Sequence, residues 1–268
     1  MNGHEKLHAA LREFYNCDEA YFTGAGEANA ALTPERRELF GFIPEGALLL
    51  DVGCGSCENA AFLNGRVRYV GCDVSSLALA RAVQLKRPMF GTVQSESQRL
   101  PFRAASFDVV LSTYALEHFV FPEESLREMW RVCRVGGRII LVSPAYDDPL
   151  ALPPSVGHWP RARRVGLIAE QAIRQVSRHL QPGRFYFAQV PQPRVLAGEY
   201  QPDFDAVHLV SAREVANFFK MMGGKILFER KRRPRAGGGW RGAVRNALVR
   251  SGIGEYAGLN LQIVIEKP

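Results

Sequence analysis

The apolar run Ala47-Leu-Leu-Leu50 leads straight into Asp51-Val-Gly-Cys-Gly-Ser-Cys-Glu58. The pattern predicts a buried strand, a tight glycine turn and a helix start. A junction of this kind brings a ligand close to bare backbone, because glycine tolerates conformations that a Cβ would forbid. The next apolar run ends at Asp73, and an acidic side chain there can accept hydrogen bonds from both hydroxyls of a ribose. These residues predict a site for a nucleoside-bearing small molecule.

The pattern repeats along the chain. Strands are expected at about 47–52, 68–73, 90–94, 107–112 and 138–143, with helices at about 57–63, 76–86 and 122–134 between them. Continuous apolar strands alternating with helices indicate a parallel sheet covered on both faces. The alternation breaks at 147–207, rich in proline, arginine and aromatic residues, which is read as a substrate cap with one helix near Val165–Leu180. Ile168, Ala172, Val176 and Leu180 form that helix's apolar row. It resumes with a capping box at Ser211–Glu214 and last strands at Lys225–Glu229 and Leu259–Glu266. Residues 1–44 read as an N-terminal lid, with Thr33 and Pro34 opening a helix and Tyr21–Gly26 as a loop with exposed aromatics. Tyr15, Tyr21 and Phe22 are candidates to exclude water. The whole is read as a single domain.

No window reaches the roughly 18–20 apolar residues of a membrane-spanning helix, and the first residues carry no secretory pattern. A cytoplasmic location is the expectation. The five cysteines include Cys54 and Cys57 as a CxxC, but no second ligand pair lies nearby, so no metal site is expected. The net charge of +7 permits an anionic partner without requiring one.

Five motifs in order resemble the class I S-adenosylmethionine-dependent methyltransferases, nearest the small-molecule subgroup with a "Leu-Pro-Phe" motif. They are Leu50-Asp51-Val-Gly53-Cys-Gly55, Gly71-Cys-Asp73, Glu96-Ser97-Gln-Arg-Leu100-Pro101-Phe102, Ser106-Phe107-Asp108 running on to Leu116-Glu117-His118, and Arg131 to Gly137. The resemblance implies a Rossmann-like α/β fold with a seven-stranded, mostly parallel sheet. Its order would be 3-2-1-4-5-7-6, with the last strand antiparallel, helices on both faces and a cap after strand 5. It implies S-adenosyl-L-methionine as cofactor and S-adenosyl-L-homocysteine as product. Asp51, Gly53, Cys54 and Gly55 would shape the loop around the methionine part. Asp73 would hold the ribose, Val74 would pack on the adenine, Glu96 and the Ser97 backbone would read the adenine edge, and backbone at Ser112 and Thr113 would hold the amino group. The family often has glycine at the position of Cys57 and more often aspartate at that of Glu96. A dinucleotide-binding GxGxxG would need its third glycine at Glu58, whose carboxylate would repel a pyrophosphate.

Candidate general bases are His118, His158 and His208, each with a packing or surface role as the competing reading. The predicted acceptor is a small or medium molecule (saccharide, lipid or secondary metabolite) methylated at O, N or C. The alternatives are an RNA methyltransferase and a non-catalytic S-adenosylmethionine-binding protein. Residues 230–250 hold eight arginines or lysines and no acid. Within 230–258 they read either as a basic amphipathic helix for an anionic surface or as a solvated hairpin whose apolar side packs on the sheet.

Overall fold

A computed structural model of the chain describes residues 3–29, 31–180, 187–190, 204–234, 239–252 and 254–268. Its elements are α1 (Gly3–Cys17), α2 (Glu19–Ala28), α3 (Pro34–Phe40), β1 (Leu48–Val52), α4 (Glu58–Leu63), β2 (Arg68–Asp73), α5 (Ser76–Gln84), β3 (Gly91–Gln94), β4 (Phe107–Thr113), α6 (Pro122–Val132), β5 (Cys133–Ser143), α7 (Arg161–Leu180), β6 (Ala188–Gln189), β7 (His208–Leu209), α8 (Ala212–Met221), β8 (Lys225–Glu229), α9 (Gly239–Arg250) and β9 (Leu261–Glu266).

Seven strands form one sheet in the order β3-β2-β1-β4-β5-β9-β8. All neighbours in β3-β2-β1-β4-β5 run parallel, while β9 pairs antiparallel with both β5 and β8. This is the expected fold, with β8 and β9 as the sixth and seventh strands. Both faces are buried. Leu50, Val110, Ile139 and Ile263 pack under α6 and α8 on one side, and Leu49, Val109, Ile140 and Val264 meet α3 and α4 on the other. Adjacent residues of one strand therefore enter different cores, which is why these strands read as unbroken apolar runs.

Three local expectations are corrected. Tyr21–Gly26 is not an exposed loop but lies in α2, capped by Asp18 Oδ1, which accepts the Tyr21 N–H at 3.0 Å; Tyr21 and Phe22 are buried against Ala78 of α5. The sequence reads a helix from Pro122 to Arg134 ended by a glycine cap at Val135–Gly137; instead α6 ends at Val132 and Cys133–Gly137 belongs to β5, with Gly136 at φ 72°. Gly137 is needed there because a Cβ would stand 2.9 Å from the Asp108 carbonyl oxygen. In α7 the inward residues are Leu167, Gln171 and Gln175, whereas Ala172 and Val176 of the expected apolar row are exposed.

Candidate active site

The parallel strands end their carboxyl edge at Val52, Asp73 and Thr113, and the loops leaving them line one pocket. The β1 loop is pinned by two backbone bonds, Gly53 N–H and Cys54 N–H both donating to the Cys72 carbonyl at 2.8 and 3.1 Å. Its turn passes through positive φ at Gly53 (72°), Gly55 (53°) and Cys57 (57°). A Cβ on Gly53 would lie 2.5 Å from the Ala115 Cβ. The glycine thus serves both the turn and the close approach of the segment after β4.

Asp73 closes β2 and faces this loop. Its Oδ2 accepts the Gly55 N–H at 2.8 Å and its Oδ1 accepts the Ser75 N–H at 2.9 Å. Burial raises its pKa, opposed by the backbone donors at Ser75, Gly55 and Val74. A carboxylate with these backbone donors and lone pairs to spare accepts further hydroxyl donors readily. Val74, Cys54, Gly53, Gly55, Ser97 and Thr113 all line the pocket. Glu96 lines it too, its Oε1 3.8 Å from His8 Nε2 and 3.6 Å from Arg12 Nη1 of α1.

Two of the expected residues stand behind the wall. Ser112 is buried and its hydroxyl donates to the Val52 carbonyl at 2.8 Å, tying β4 to β1. Asp51 is fully buried and accepts from Tyr69 Oη at 2.5 Å and Asn59 Nδ2 at 2.9 Å. Desolvation pushes its pKa up to about 7 despite those donors. The folded chain thus keeps a proton on Asp51 between the ordinary value of 3.8 and about 7, where the unfolded chain has released it. Stability then falls as pH rises through that window and levels off above it. Asp51→Asn should remove this contribution, so the gap between variant and parent melting temperatures should shift in the variant's favour from the acid to the neutral end. Parallel melting curves against pH would deny Asp51 this role.

Arg36, not singled out in the sequence, also reaches the pocket. It is 2% exposed, its Nη2 donates to the carbonyls of Asn29 (3.2 Å) and Ala31, and its guanidinium lies 5.0 Å from the Phe62 ring centre. Arg36 Nε and Asn59 Oδ1 have no hydrogen-bond partner, and both residues line the pocket. A buried donor and a buried acceptor without partners suit a zwitterion. The carboxylate of a bound amino-acid moiety would meet Arg36 and its ammonium Asn59. The sequence signal was available: Arg36 shares its helical face with Leu39 and Phe40, both buried.

Helices α1 and α2 also wall the pocket. Leu11, Tyr15, Tyr21 and Phe22 line it. Asp205, from the segment returning to the sheet, joins them to the core: its Oδ2 accepts from Tyr15 Oη at 2.6 Å and from Tyr21 Oη at 2.9 Å. The same oxygen stands 3.4 Å from His118 Nδ1, and Glu117 Oε1 stands 3.6 Å from His118 Nε2. Of the three candidate histidines only His118 lines the pocket. His208 is buried away from it, bonded through Nδ1 to the Phe119 carbonyl at 2.8 Å, with its pKa lowered to about 4 by desolvation. His158 is exposed on the cap. Of the cap aromatics, Trp159 packs with Tyr146 and Leu167 and Phe187 enters the main core, while Phe185, Tyr186 and Tyr200 lie outside the described residues. The enclosing aromatics among the described residues thus come from the N-terminal helices and from the segment after β4, which supplies Tyr114 and Phe119. No group of three or more His, Cys, Asp or Glu among the described residues is placed to hold a metal ion.

Residues 50–141 match the family described as "Methyltransferase domain". A 2-phytyl-1,4-naphtoquinone methyltransferase of Thermosynechococcus vestitus is 31% identical over 140 residues, 48% of this chain and 62% of that protein. A phosphatidylethanolamine N-methyltransferase of Cereibacter sphaeroides is 31% identical over 126 residues, 44% of this chain and 62% of that protein. The chain thus spans less than two thirds of the length of these relatives. Among solved structures, Burkholderia thailandensis 1,6-didemethyltoxoflavin-N1-methyltransferase, with bound 1,6-didemethyltoxoflavin and S-adenosylhomocysteine, superposes with a TM-score of 0.57. It covers 100% of this chain and 91% of its own at 16% identity, a likeness of fold. Residues 50–141 are thus similar to a methyltransferase domain, and the motif order and the seven-stranded sheet topology agree with that likeness.

Proposed function

We propose that the chain transfers a methyl group from S-adenosylmethionine to an O, N or C atom of a small or medium-sized, largely apolar acceptor. The observation that carries this reading is the pocket itself. It brings together the half-buried Asp73 carboxylate, the unpartnered Arg36 Nε and Asn59 Oδ1, and the rings of Tyr15, Tyr21, Phe22 and Phe119 around His118. When bound, S-adenosylmethionine supplies an electrophilic methyl group on a positively charged sulfur.

The chain's own residues would do the rest. Asp73 grips the ribose, Val74 packs on the base, Glu96 and Ser97 read its edge, and Arg36, Asn59 and Thr113 hold the amino-acid end. Such alignment can contribute about 7–11 kcal/mol in favourable cases. Helices α1 and α2 exclude water from the transfer. His118 takes the proton of an acceptor that arrives protonated, and the carboxylates of Asp205 and Glu117 stabilise the resulting charge. Tyr15 and Tyr21 hold Asp205 in place, so closure of α1 and α2 and orientation of His118 are coupled. Acceptors of the two relatives, a naphthoquinone and a phospholipid by their names, support an apolar acceptor here.

Calorimetry with S-adenosylhomocysteine and with nicotinamide nucleotides tests the cofactor, and a mass-spectrometric screen of quinols, phenols and lipid amines tests the acceptor. S-adenosylhomocysteine should bind and the nucleotides should not; the reverse would overturn the reading. Asp73→Ala should weaken S-adenosylhomocysteine binding more than tenfold, because two hydroxyls lose a charged partner worth roughly 1.5–3 kcal/mol per bond. Unchanged affinity would remove Asp73 from the ribose site.

A further inference from the structure

Helix α9 turns its apolar stripe outward. Trp240, Val244 and Leu248 are 74%, 52% and 46% exposed, and Ala243 and Ala247 between them are exposed too; Val249, on the opposite side, is buried. The stripe is therefore not packed on the sheet, as the hairpin alternative required. Helical register sets positions 241 and 245 along one margin of the stripe and 250 along the other, and all three are arginine. Next to the helix runs a groove lined by Arg230, Lys231, Arg232 and Arg233 together with Val249 and Leu259. Glu38 and Glu229 also line it and pair with Arg230 and Lys231. The excess of positive charge remains, since 230–250 holds no acid.

Helix α7 repeats the arrangement. Val165, Ile173 and Val176 are 63%, 71% and 51% exposed and share a face with exposed Ala169 and Ala172. Its sequence carries Arg161, Arg163, Arg164, Arg174 and Arg178 against a single acid, Glu170. Both helices leave the same edge of the sheet. The chain reaches α7 after β5 and α9 after β8, and β8 runs parallel to β5 because each is antiparallel to β9. That edge also carries the pocket.

We infer that α9, with α7 beside the same edge, docks the chain on an anionic lipid bilayer. Apolar side chains enter the acyl boundary while the flanking arginines meet lipid phosphates. A bilayer satisfies both features at once. Nucleic acid would engage the arginines but leave the Trp240–Val244–Leu248 stripe in water. A purely apolar protein face would bury the stripe but leave the arginines unpaired. The inference stands on exposure and charge and does not depend on methyl transfer.

The test is flotation of the full chain with vesicles of phosphatidylcholine alone and of phosphatidylcholine mixed with phosphatidylglycerol, at low and high salt. Light scattering reads the oligomeric state in parallel. Binding is expected only to the mixed vesicles and should weaken as salt rises. Arg241→Gln with Arg245→Gln should weaken it by about tenfold or more, and Val244→Glu with Leu248→Glu should abolish it, each at the parental melting temperature. Should the glutamate pair lower the melting temperature, the arginine pair decides. Absent binding, equal binding to uncharged vesicles, or variants that float like the parent would each overturn the inference. So would RNA retention without vesicle binding, or a dimer that dissociates in the glutamate pair while vesicles are ignored.

Discussion

Gly53→Ala should lower stability by about 2–5 kcal/mol, the sum of a positive-φ penalty of roughly 1–2 kcal/mol and an overpacking cost of roughly 1–3 kcal/mol. Two independent observations require it. Gly53 sits at φ 72°, and its added Cβ would stand 2.5 Å from the Ala115 Cβ and 3.4 Å from the Phe119 ring. In a chain of this size that corresponds to a drop in melting temperature of about 5–15 °C. Ala115→Gly in the same chain should recover the steric part and leave the backbone part. A double variant no better than Gly53→Ala alone would show that the contact with Ala115 does not set the cost. Because Ala115 and Phe119 line the pocket, S-adenosylhomocysteine affinity should fall along with stability.

The second large effect is on turnover. His118→Gln should slow methyl transfer to a protonated acceptor by about 10²–10⁴-fold, the range for loss of a general base. Affinity for S-adenosylhomocysteine should change far less, since the ribose and amino-acid contacts proposed for Asp73, Arg36 and Asn59 remain. Asp205→Asn keeps the shape of the Tyr15–Tyr21 anchor but removes the charge 3.4 Å from His118 Nδ1. It should give a smaller loss and move the acid limb of the pH–rate profile, which a purely structural role for Asp205 would not do. Parental turnover in His118→Gln, with the acceptor found by the screen, would take His118 out of the chemistry.

Much of the fold was legible because strand pattern and motif order agree on it. The runs at 47–52, 68–73 and 107–112 are apolar on both faces, and only a sheet buried on both sides requires that. The glycines at 53 and 55 and the acid at 73 marked the carboxyl edge where the pocket lies. Boundaries were less legible. Tyr21-Phe22-Thr-Gly-Ala-Gly26 reads as a loop because two glycines and a threonine disfavour helix, yet packing on Ala78 and the Asp18 cap make it α2. Local propensity of a few tenths of a kcal/mol per residue yields to burial of two aromatic rings.

The polar cluster was less legible still. His118 could be proposed from its place after the fourth strand, but Asp205 follows a stretch without periodicity, and nothing local ties it to Tyr15, 190 residues earlier. Arg36 carries a local sign, a cation on an apolar helix face. Of the three histidines, the sequence offered no means of ranking burial: His208 has an apolar context much like that of an inward-facing base, and only the fold shows it bonded to the Phe119 carbonyl away from the pocket.

By itself, the sequence determined the sheet, its parallel sense and the loop at its ligand edge, because these follow from apolar periodicity and from turns that only glycine allows. Tertiary structure alone decided which face of each helix is buried, which histidine meets the pocket, and that α7 and α9 leave apolar stripes in water beside their arginines. Those outcomes depend on contacts between residues far apart in the chain, and local pattern holds no record of them.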